Sequence, residues 1–428
     1  MELQKITTEA LSQLTALGAQ HSHVIGGETS FDELVYENDS FTLLRSVDEY
    51  SLSLTAIKNQ KKGTYSLNQL ESDEVEKACI KAIEIADAGK EDDAYGISSQ
   101  GKEMKFEHGP QNADKEAMAE LIKDFVARTA KKFPQIGLRT VTVKFNKGHT
   151  FFINSNKDRA EAKKGYYTFS CLFNAQEGET SSSMNYDGLD FVSFKQDLLS
   201  DEHFGKTFKD TIAHLKAKKL GLTFEGKAIF TPQCWQSFLS FILSHLSTGS
   251  LIGKTSRLQE RIGEKVGSDL FHLESRPRDP LFANPNFLTA DGIETENQLI
   301  FDKGVIKTYL VDIYGKNKLG LGKVSNFATR LYMPKGKTSL DKMIEGIDEG
   351  ILIGRFSGGY PSTNGDFSGI AKNSFYIKDG KVHSALSETM ISGNIFDLIE
   401  KMYATSSEVY KNGTCHIPYV ATEGVTIS

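Results

Sequence analysis

The chain has 428 residues, 39% hydrophobic and 25% charged, with a formal net charge of −6. That length predicts two or three domains, and the composition is that of a globular protein rather than a disordered or fibrous one. No cationic block exceeds Lys61-Lys62 or Lys218-Lys219, which argues against nucleic acid as a partner, because phosphate binding relies on clustered cations.

In chain order, residues 7–19 (TTEALSQLTALGA) predict an amphipathic helix with Thr7 or Thr8 as cap and Leu11, Leu14 and Leu17 on one face. Strand-like runs follow: HSHVIGG, FDELVYEND, SFTLLRSV, EYSLSLTAI and GTYSL. Residues 59–63 predict a polar hairpin loop between the last two. Asp73 with Glu76 has the spacing of a capping box, and Val75, Cys79, Ala82, Ile83 and Ala86 trace a helical face up to Gly89. From Gly89 to Asn112 the chain turns polar and irregular and predicts a linker or long loop. A second helix is expected over about 114–133, closed by Pro134, with Met118, Leu121, Ile122, Phe125 and Thr129 inward. Further strands (LRTVTVKF, HTFFINS, GYYTFSCLFNA) and a helix over roughly 204–218 complete this half. The order helix–meander–helix thus occurs twice, which suggests a duplicated α+β layer.

The most informative stretch is 226–266. Ala228-Ile229-Phe230 predicts a short strand. Thr231-Pro232 then opens a helix, since Thr caps free amides and Pro at the first helical position wastes no donor. Trp235, Phe238, Leu239, Ile242 and Leu246 recur at helical spacing, with Phe241 and Leu243 widening the apolar surface. A helix apolar on most sides belongs in a large core. It is too short, and too broken by serines and His245, to span a membrane. The texture beyond is β-rich, with hairpin turns at Asp302-Lys303-Gly304 and Asp379-Gly380, a short basic helix after the first hairpin and a late helix in GNIFDLIEKMYATS.

This strand–Pro–helix, the following SRLQERIGEKVGS (256–268), GDFSG (365–369) and IKDGKV (377–382) resemble the TldD/PmbA family of peptide-maturation metalloproteases, also called modulators of DNA gyrase. The segment 153–179 resembles the family as well. The catalytic branch of that family carries HExxxH on this helix, two zinc-binding histidines and a glutamate that activates water. Counting back from Arg261 puts the motif near Leu239 to Ser244, where this chain reads Leu-Ser-Phe-Ile-Leu-Ser, and neither HExxxH nor HExxH occurs anywhere in it. The resemblance is therefore to the PmbA (TldE-like) branch, which lacks the motif.

Candidate chemistry is sparse. His245 reads as a hydrogen-bonded structural histidine more readily than as a relic ligand, since zinc needs three converging protein ligands. In the catalytic branch a cysteine in the C-terminal tail completes the zinc site, and Cys415 stands in a similar position. Its neighbour His416 lies in the same extended segment, so their side chains are expected on opposite faces, not as a dyad. The Asn364, Asp366 and Ser368 loop has the residues of a tight turn; the resemblance suggests that it lines a peptide channel. Gly358-Gly359 and Gly253-Lys254-Thr255 lack phosphate-loop spacing.

These readings predict an α+β fold with segments 1–95 and 112–222 and a β-rich C-terminal domain, 225–428, built round the buried helix. The resemblance implies a cytoplasmic, non-catalytic PmbA/TldE-like subunit of a metalloprotease acting on unfolded or leader-bearing peptides. An HExxxH-bearing TldD-like homologue would be its partner and an extended peptide its substrate. Cofactors, metal ligands and catalytic residues are expected in that partner, zinc included, and none in this chain. Asn364, Asp366, Ser368 and Cys415 are the candidate substrate contacts. Neither nucleic acid nor membrane is expected as a partner, while a homo- or hetero-oligomer is. An independent peptidase with another site, or a homo-oligomeric peptide-binding protein, are the alternatives. Four dispersed cysteines without CxxC, and an opening MELQKITTEALSQL without a secretory apolar core, fit a reducing compartment. Phe282, Phe287 and Leu288 are expected to be exposed and to serve an interface.

Overall fold

A computed structural model describes residues 2–325 and 327–428. The fold is α+β and holds two large sheets. The N-terminal half contains helices α1 (Glu2–Ala16), α2 (Ser72–Ala88), α3 (Lys115–Lys132) and α4 (Phe204–Ala213). Its strands are β1 (His21–Glu37), β2 (Ser40–Lys58), β3 (Lys61–Leu67), β4 (Glu103–His108), β5 (Ile136–Asn154), β6 (Arg159–Glu177), β7 (Thr180–Ser181) and β8 (Asn185–Phe191). Their order, β3-β2-β1-β5-β6-β4 with β7 and β8 also on β6, makes one sheet. The two segments read from sequence meet where β1 pairs antiparallel with β5.

Each side of that seam carries its own helices and core. Leu3, Ala10 and Leu14 of α1 and Cys79, Ala82 and Ile83 of α2 bury against Val24, Leu52 and Leu54. On the other side Phe125 of α3 meets Phe204 and Phe208 of α4 and Phe169 of β6 in edge-to-face and tilted contacts, with ring centroids 4.8–6.0 Å apart. Asp114 caps α3 by accepting from Ala117 N at 2.9 Å, and Tyr167 Oη accepts from the backbone N–H of Asp114.

Several local expectations need correction. α1 begins at Glu2, so Thr7 and Thr8 lie inside it and donate to carbonyls of the preceding turn instead of capping it. α2 has Glu71 as its cap residue with no side-chain cap bond, and Asp73 pairs with Lys77 on the solvent side. The predicted 59–63 loop shrinks to a two-residue turn, Asn59 and Gln60 both at positive φ, while Lys61 to Gly63 join β3. The turn's handedness matches strand twist, which favours so tight a connection. The five early strand-like runs merge into three strands, because Gly26-Gly27 stays in register with both neighbours. The 89–112 stretch holds a strand, β4, which finds a parallel partner in β6. The predicted 204–218 helix stops at Ala213 and continues as a 3₁₀ turn.

The C-terminal sheet is organised around β9 (Phe224–Phe230), parallel to Glu349–Ile353 on one side and antiparallel to His416–Ile427 on the other. Helix α5 (Pro232–Ser244) follows directly. Thr231 accepts from Cys234 N at 3.3 Å and donates to the Gly354 carbonyl at 2.7 Å, with Pro232 in the first turn. Trp235, Leu239 and Ile242 are fully buried, and Phe238 packs edge-on against Phe356 and Phe367. The turns at Lys303-Gly304 and Asp379-Gly380 have the positive φ values that their hairpins require. The basic helix is Ile313–Lys318, and the late one is shorter than its sequence run, Ile395–Glu400.

Phe282, Phe287 and Leu288 are not free. Phe282 is buried, Phe287 stacks on Phe106 of β4 at 4.9 Å, and Leu288 packs against the cluster of Met104, Phe152 and Ala160. The apolar loop joins the chain's two sheets to each other. Replacing Phe287 by Asp is therefore expected to destabilise the chain itself, by about 2–3 kcal/mol, seen as a lowered unfolding midpoint of the isolated protein. Gly63 lies so close to α2 that an added Cβ would stand 1.9 Å from the Ala82 carbonyl oxygen. Gly63→Ala should cost about 2 kcal/mol or more through forced separation of β3 and α2, measured by the same unfolding experiment, with Gly101→Ala as the control for a positive-φ glycine in open space.

Candidate functional site: the cleft between the sheets

A cavity of about 870 Å³ opens between β8 and α4 on one side and the start of α5 with the 407–412 and 354–355 segments on the other. At its wall Asp187 of β8 accepts from Tyr410 Oη at 2.7 Å, from Thr207 Oγ1 at 3.0 Å and from the Gly188 N–H at 2.8 Å. Burial raises the Asp187 carboxyl above its ordinary range, although all three donors oppose the shift. Burial, followed by the neighbouring carboxylate, also pushes the Tyr410 phenol well up. The phenol therefore keeps its proton and donates.

The turn leading to Cys415 is built by Asn412. Its Oδ1 accepts from Thr414 N, Thr414 Oγ1 and Cys415 N at 2.7–3.0 Å, while Asp190 N donates to the Asn412 carbonyl at 2.7 Å. Gly413 has φ +76° and presses on Asp190, where an added Cβ would meet the Asp190 carbonyl at 2.0 Å. The Cys415 sulfur thus faces two amide oxygens, Asn412 Oδ1 at 3.4 Å and Gln236 Oε1 at 3.5 Å. Burial pushes its thiol up to about 12, against smaller opposing effects from Thr414 and Arg330. Burial therefore disfavours the thiolate that a nucleophilic cysteine needs.

Gln236 belongs to a polar stripe of α5 that also includes Gln233, Ser237, Ser240 and Ser244; Gln233 and Ser237 line the cleft. Leu239, where the count back from Arg261 starts the motif, is fully buried, and Ser244 at its end is exposed. The position opposite Cys415 is Gln236, and no histidine, cysteine or carboxylate replaces it. Among the described residues no three His, Cys, Asp or Glu side chains gather as a metal group. The donor set around Cys415 does not fit zinc, which takes thiolate, imidazole and carboxylate.

His245 is a structural histidine. Its Nδ1 accepts from Arg257 N at 3.1 Å, its ring lies edge-on between Phe241 and Phe396, and burial lowers its pKa. His416 turns away from Cys415, donates from Nδ1 to the Met333 carbonyl at 3.1 Å and stacks on Tyr332. Asn364, Asp366 and Ser368 are exposed and none lines the cleft. The Asn364 carbonyl accepts from Arg257 and Asn394, and Asp366 accepts from Asn394 at 2.8 Å. Those bonds fix the shape of a turn entering the strand Asp366–Lys372. Of the four sequence candidates, Cys415 alone sits at the seam beside the cleft.

Asp187, Tyr410 and Gln236 escaped the sequence reading. Asp187 and Tyr410 are 223 positions apart, and no local pattern joins an acid on one sheet to a phenol on another. Gln236 was readable only as a polar residue on an apolar helix.

Residues 223–428 match the model of the PmbA/TldA metallopeptidase C-terminal domain. A Haemophilus influenzae protein named metalloprotease PmbA homolog is 23% identical over 95% of this chain and 92% of its own length. Metalloprotease PmbA of Escherichia coli O157:H7 is 22% identical over 84% of this chain and 81% of its own. The crystal structure of TldE from Thermococcus kodakarensis superposes with a TM-score of 0.84 at 18% identity, covering 99% of this chain and all of that one. With the strand–Pro–helix and the cysteine turn in place, residues 223–428 belong to the PmbA/TldA metallopeptidase C-terminal domain family, and the whole chain is similar to PmbA-named metalloproteases.

Proposed function

We propose that this chain is the non-catalytic, PmbA/TldE-like subunit of a TldD/TldE-type metalloprotease that processes or degrades unfolded or leader-bearing peptides. The observation that carries the reading is the pairing of Cys415 with Gln236. Helix α5 offers the thiol a neutral amide, and its 239–244 stretch, Leu-Ser-Phe-Ile-Leu-Ser, holds no zinc ligand. The chain keeps the frame of the fold and lacks the donors for the chemistry. An HExxxH-bearing homologue supplies zinc, the activating glutamate and the histidines in the assembled enzyme.

The cleft supports a substrate-holding role. Arg355 lines it and begins the strand Arg355–Gly358, which among the described residues pairs with Asp366–Lys372 alone. Its other edge offers backbone donors and acceptors to an extended peptide, which binds by main-chain hydrogen bonds with little demand on side chains. Asn364, Asp366 and Ser368 act in this reading by holding the neighbouring strand, and Cys415 by packing under the cleft.

Purified alone, the chain is expected to bind no stoichiometric zinc and to cleave no peptide. Elemental analysis finding one zinc per chain, lost on Cys415→Ala, would overturn the reading. Mixed with an HExxxH homologue from the same cell, it should form a stable complex, with peptidase activity confined to the mixture. Equal cleavage by the homologue alone would remove the subunit role. A Tyr410→Phe variant, which leaves Asp187 short of one donor in the cleft wall, should weaken peptide capture by the complex about 5- to 30-fold, or about 1–2 kcal/mol, read as a raised KM.

A further inference from the structure

A second cavity, of about 240 Å³, lies on the N-terminal sheet beneath residues 285–290. Its apolar walls are Ile25, Phe152 and Ala162 from the sheet and Phe287 and Leu288 from the covering loop; Thr150, Asn286 and Thr289 add uncharged polar groups, and Lys164 is the one ionisable residue among those lining it. Lys164 belongs to β6 opposite Gly148 of β5. Its aliphatic stem runs over that glycine, with Cγ and Cε both 3.6 Å from where a Cβ would stand.

The amine's hydrogen-bond partners are both uncharged acceptors. Nζ donates to Asn284 Oδ1 at 2.8 Å and to the Pro285 carbonyl at 3.3 Å. Among the described residues it makes no ion pair, and two neutral acceptors satisfy the two N–H bonds of an –NH₂ group while leaving its lone pair free. The charges that act on it are Arg330, which opposes protonation, and Asp190, which favours it. Burial is the larger effect, and the pKa falls to about 8. Lysines in such settings serve as imine-forming nucleophiles.

We propose that Lys164 is a covalent site for small apolar aldehydes, which enter the cavity and form a reversible imine with Nζ. The nitrogen lone pair adds to the carbonyl carbon and the carbonyl π pair moves to oxygen. One N–H proton passes to that oxygen to give a carbinolamine, and loss of water leaves the C=N bond. No oxidant or reductant is consumed, and hydrolysis reverses the step. Walls without a second charged group select an uncharged alkyl or aryl aldehyde, and the volume limits it to about ten non-hydrogen atoms or fewer, at the roughly 20–30 Å³ that each occupies in close packing. This site is separate from Cys415 and does not rest on the subunit reading.

The test treats the intact chain with benzaldehyde and cyanoborohydride at about pH 8 and maps the trapped secondary amines by mass spectrometry. Lys164 should be labelled roughly tenfold or more faster than the exposed Lys102 and Lys105, because a far larger fraction of it is free amine. Benzyl alcohol, which fills the cavity but cannot form an imine, should slow labelling at Lys164 and leave Lys102 unchanged. Ala162→Phe should do the same by occupying the cavity. Labelling of Lys164 at the rate of the exposed lysines, or at a rate that benzyl alcohol does not alter, overturns the proposal.

Discussion

The structure depends on the burial of α5 against β9 and its two sheet neighbours. Trp235, Phe238, Leu239 and Ile242 are all buried in that contact, and each large apolar side chain removed from water contributes about 1.5–3 kcal/mol. The contact also fixes rotation. Once Leu239 faces the core, the helical period leaves Gln233, Gln236, Ser237 and Ser240 on the outer stripe. Packing thereby decides which positions of the helix are available to chemistry, and in this chain those positions hold amides and hydroxyls.

The second constraint is the seam between the two sheets, which is made largely of polar groups with defined partners. Asp187 reaches Tyr410, Asn185 reaches Asn373, and Asp92 takes both Tyr314 and Lys318. Buried polar groups are costly unless paired, so this network restricts how the halves meet. It also carries the cysteine turn, since Asp190 both binds the Asn412 carbonyl and lies against Gly413. The same enclosure is what pushes the Cys415 thiol's pKa up.

The same seam leaves two unlike cavities. The cleft near Asp187 is the larger and is lined by groups of both sheets, Asp187 and Tyr410 among them. The smaller cavity under residues 285–290 mixes apolar and uncharged polar walls with one amine. Asn284 connects them: its side chain holds Lys164, while its carbonyl accepts from Arg330, whose charge acts on both Lys164 and Cys415. A change in this loop would be felt at the amine and at the thiol together.

The sequence by itself determined the elements whose signals are local. The Thr231-Pro232 start and the apolar period of α5 were legible because capping and burial are written into adjacent residues. The turns at residues 303–304 and 379–380 were legible because glycine supplies their positive φ, and the absence of HExxxH is a property of the string itself. Tertiary structure alone decided the rest. Whether Gly26-Gly27 broke a strand depended on the registers offered by β2 and β5, and β4 became a strand because β6 supplied a partner. Phe287 and Leu288 read as outer surface in a loop of prolines, and only the packed fold sets them against Phe106 and Met104 of β4. Facing Gln236 toward Cys415 needed the rotation set by the core, and the Asp187–Tyr410 contact needed two sheets brought together. Periodicity reports which face of an element is apolar, but which distant group meets its polar face is settled only when the faces pack.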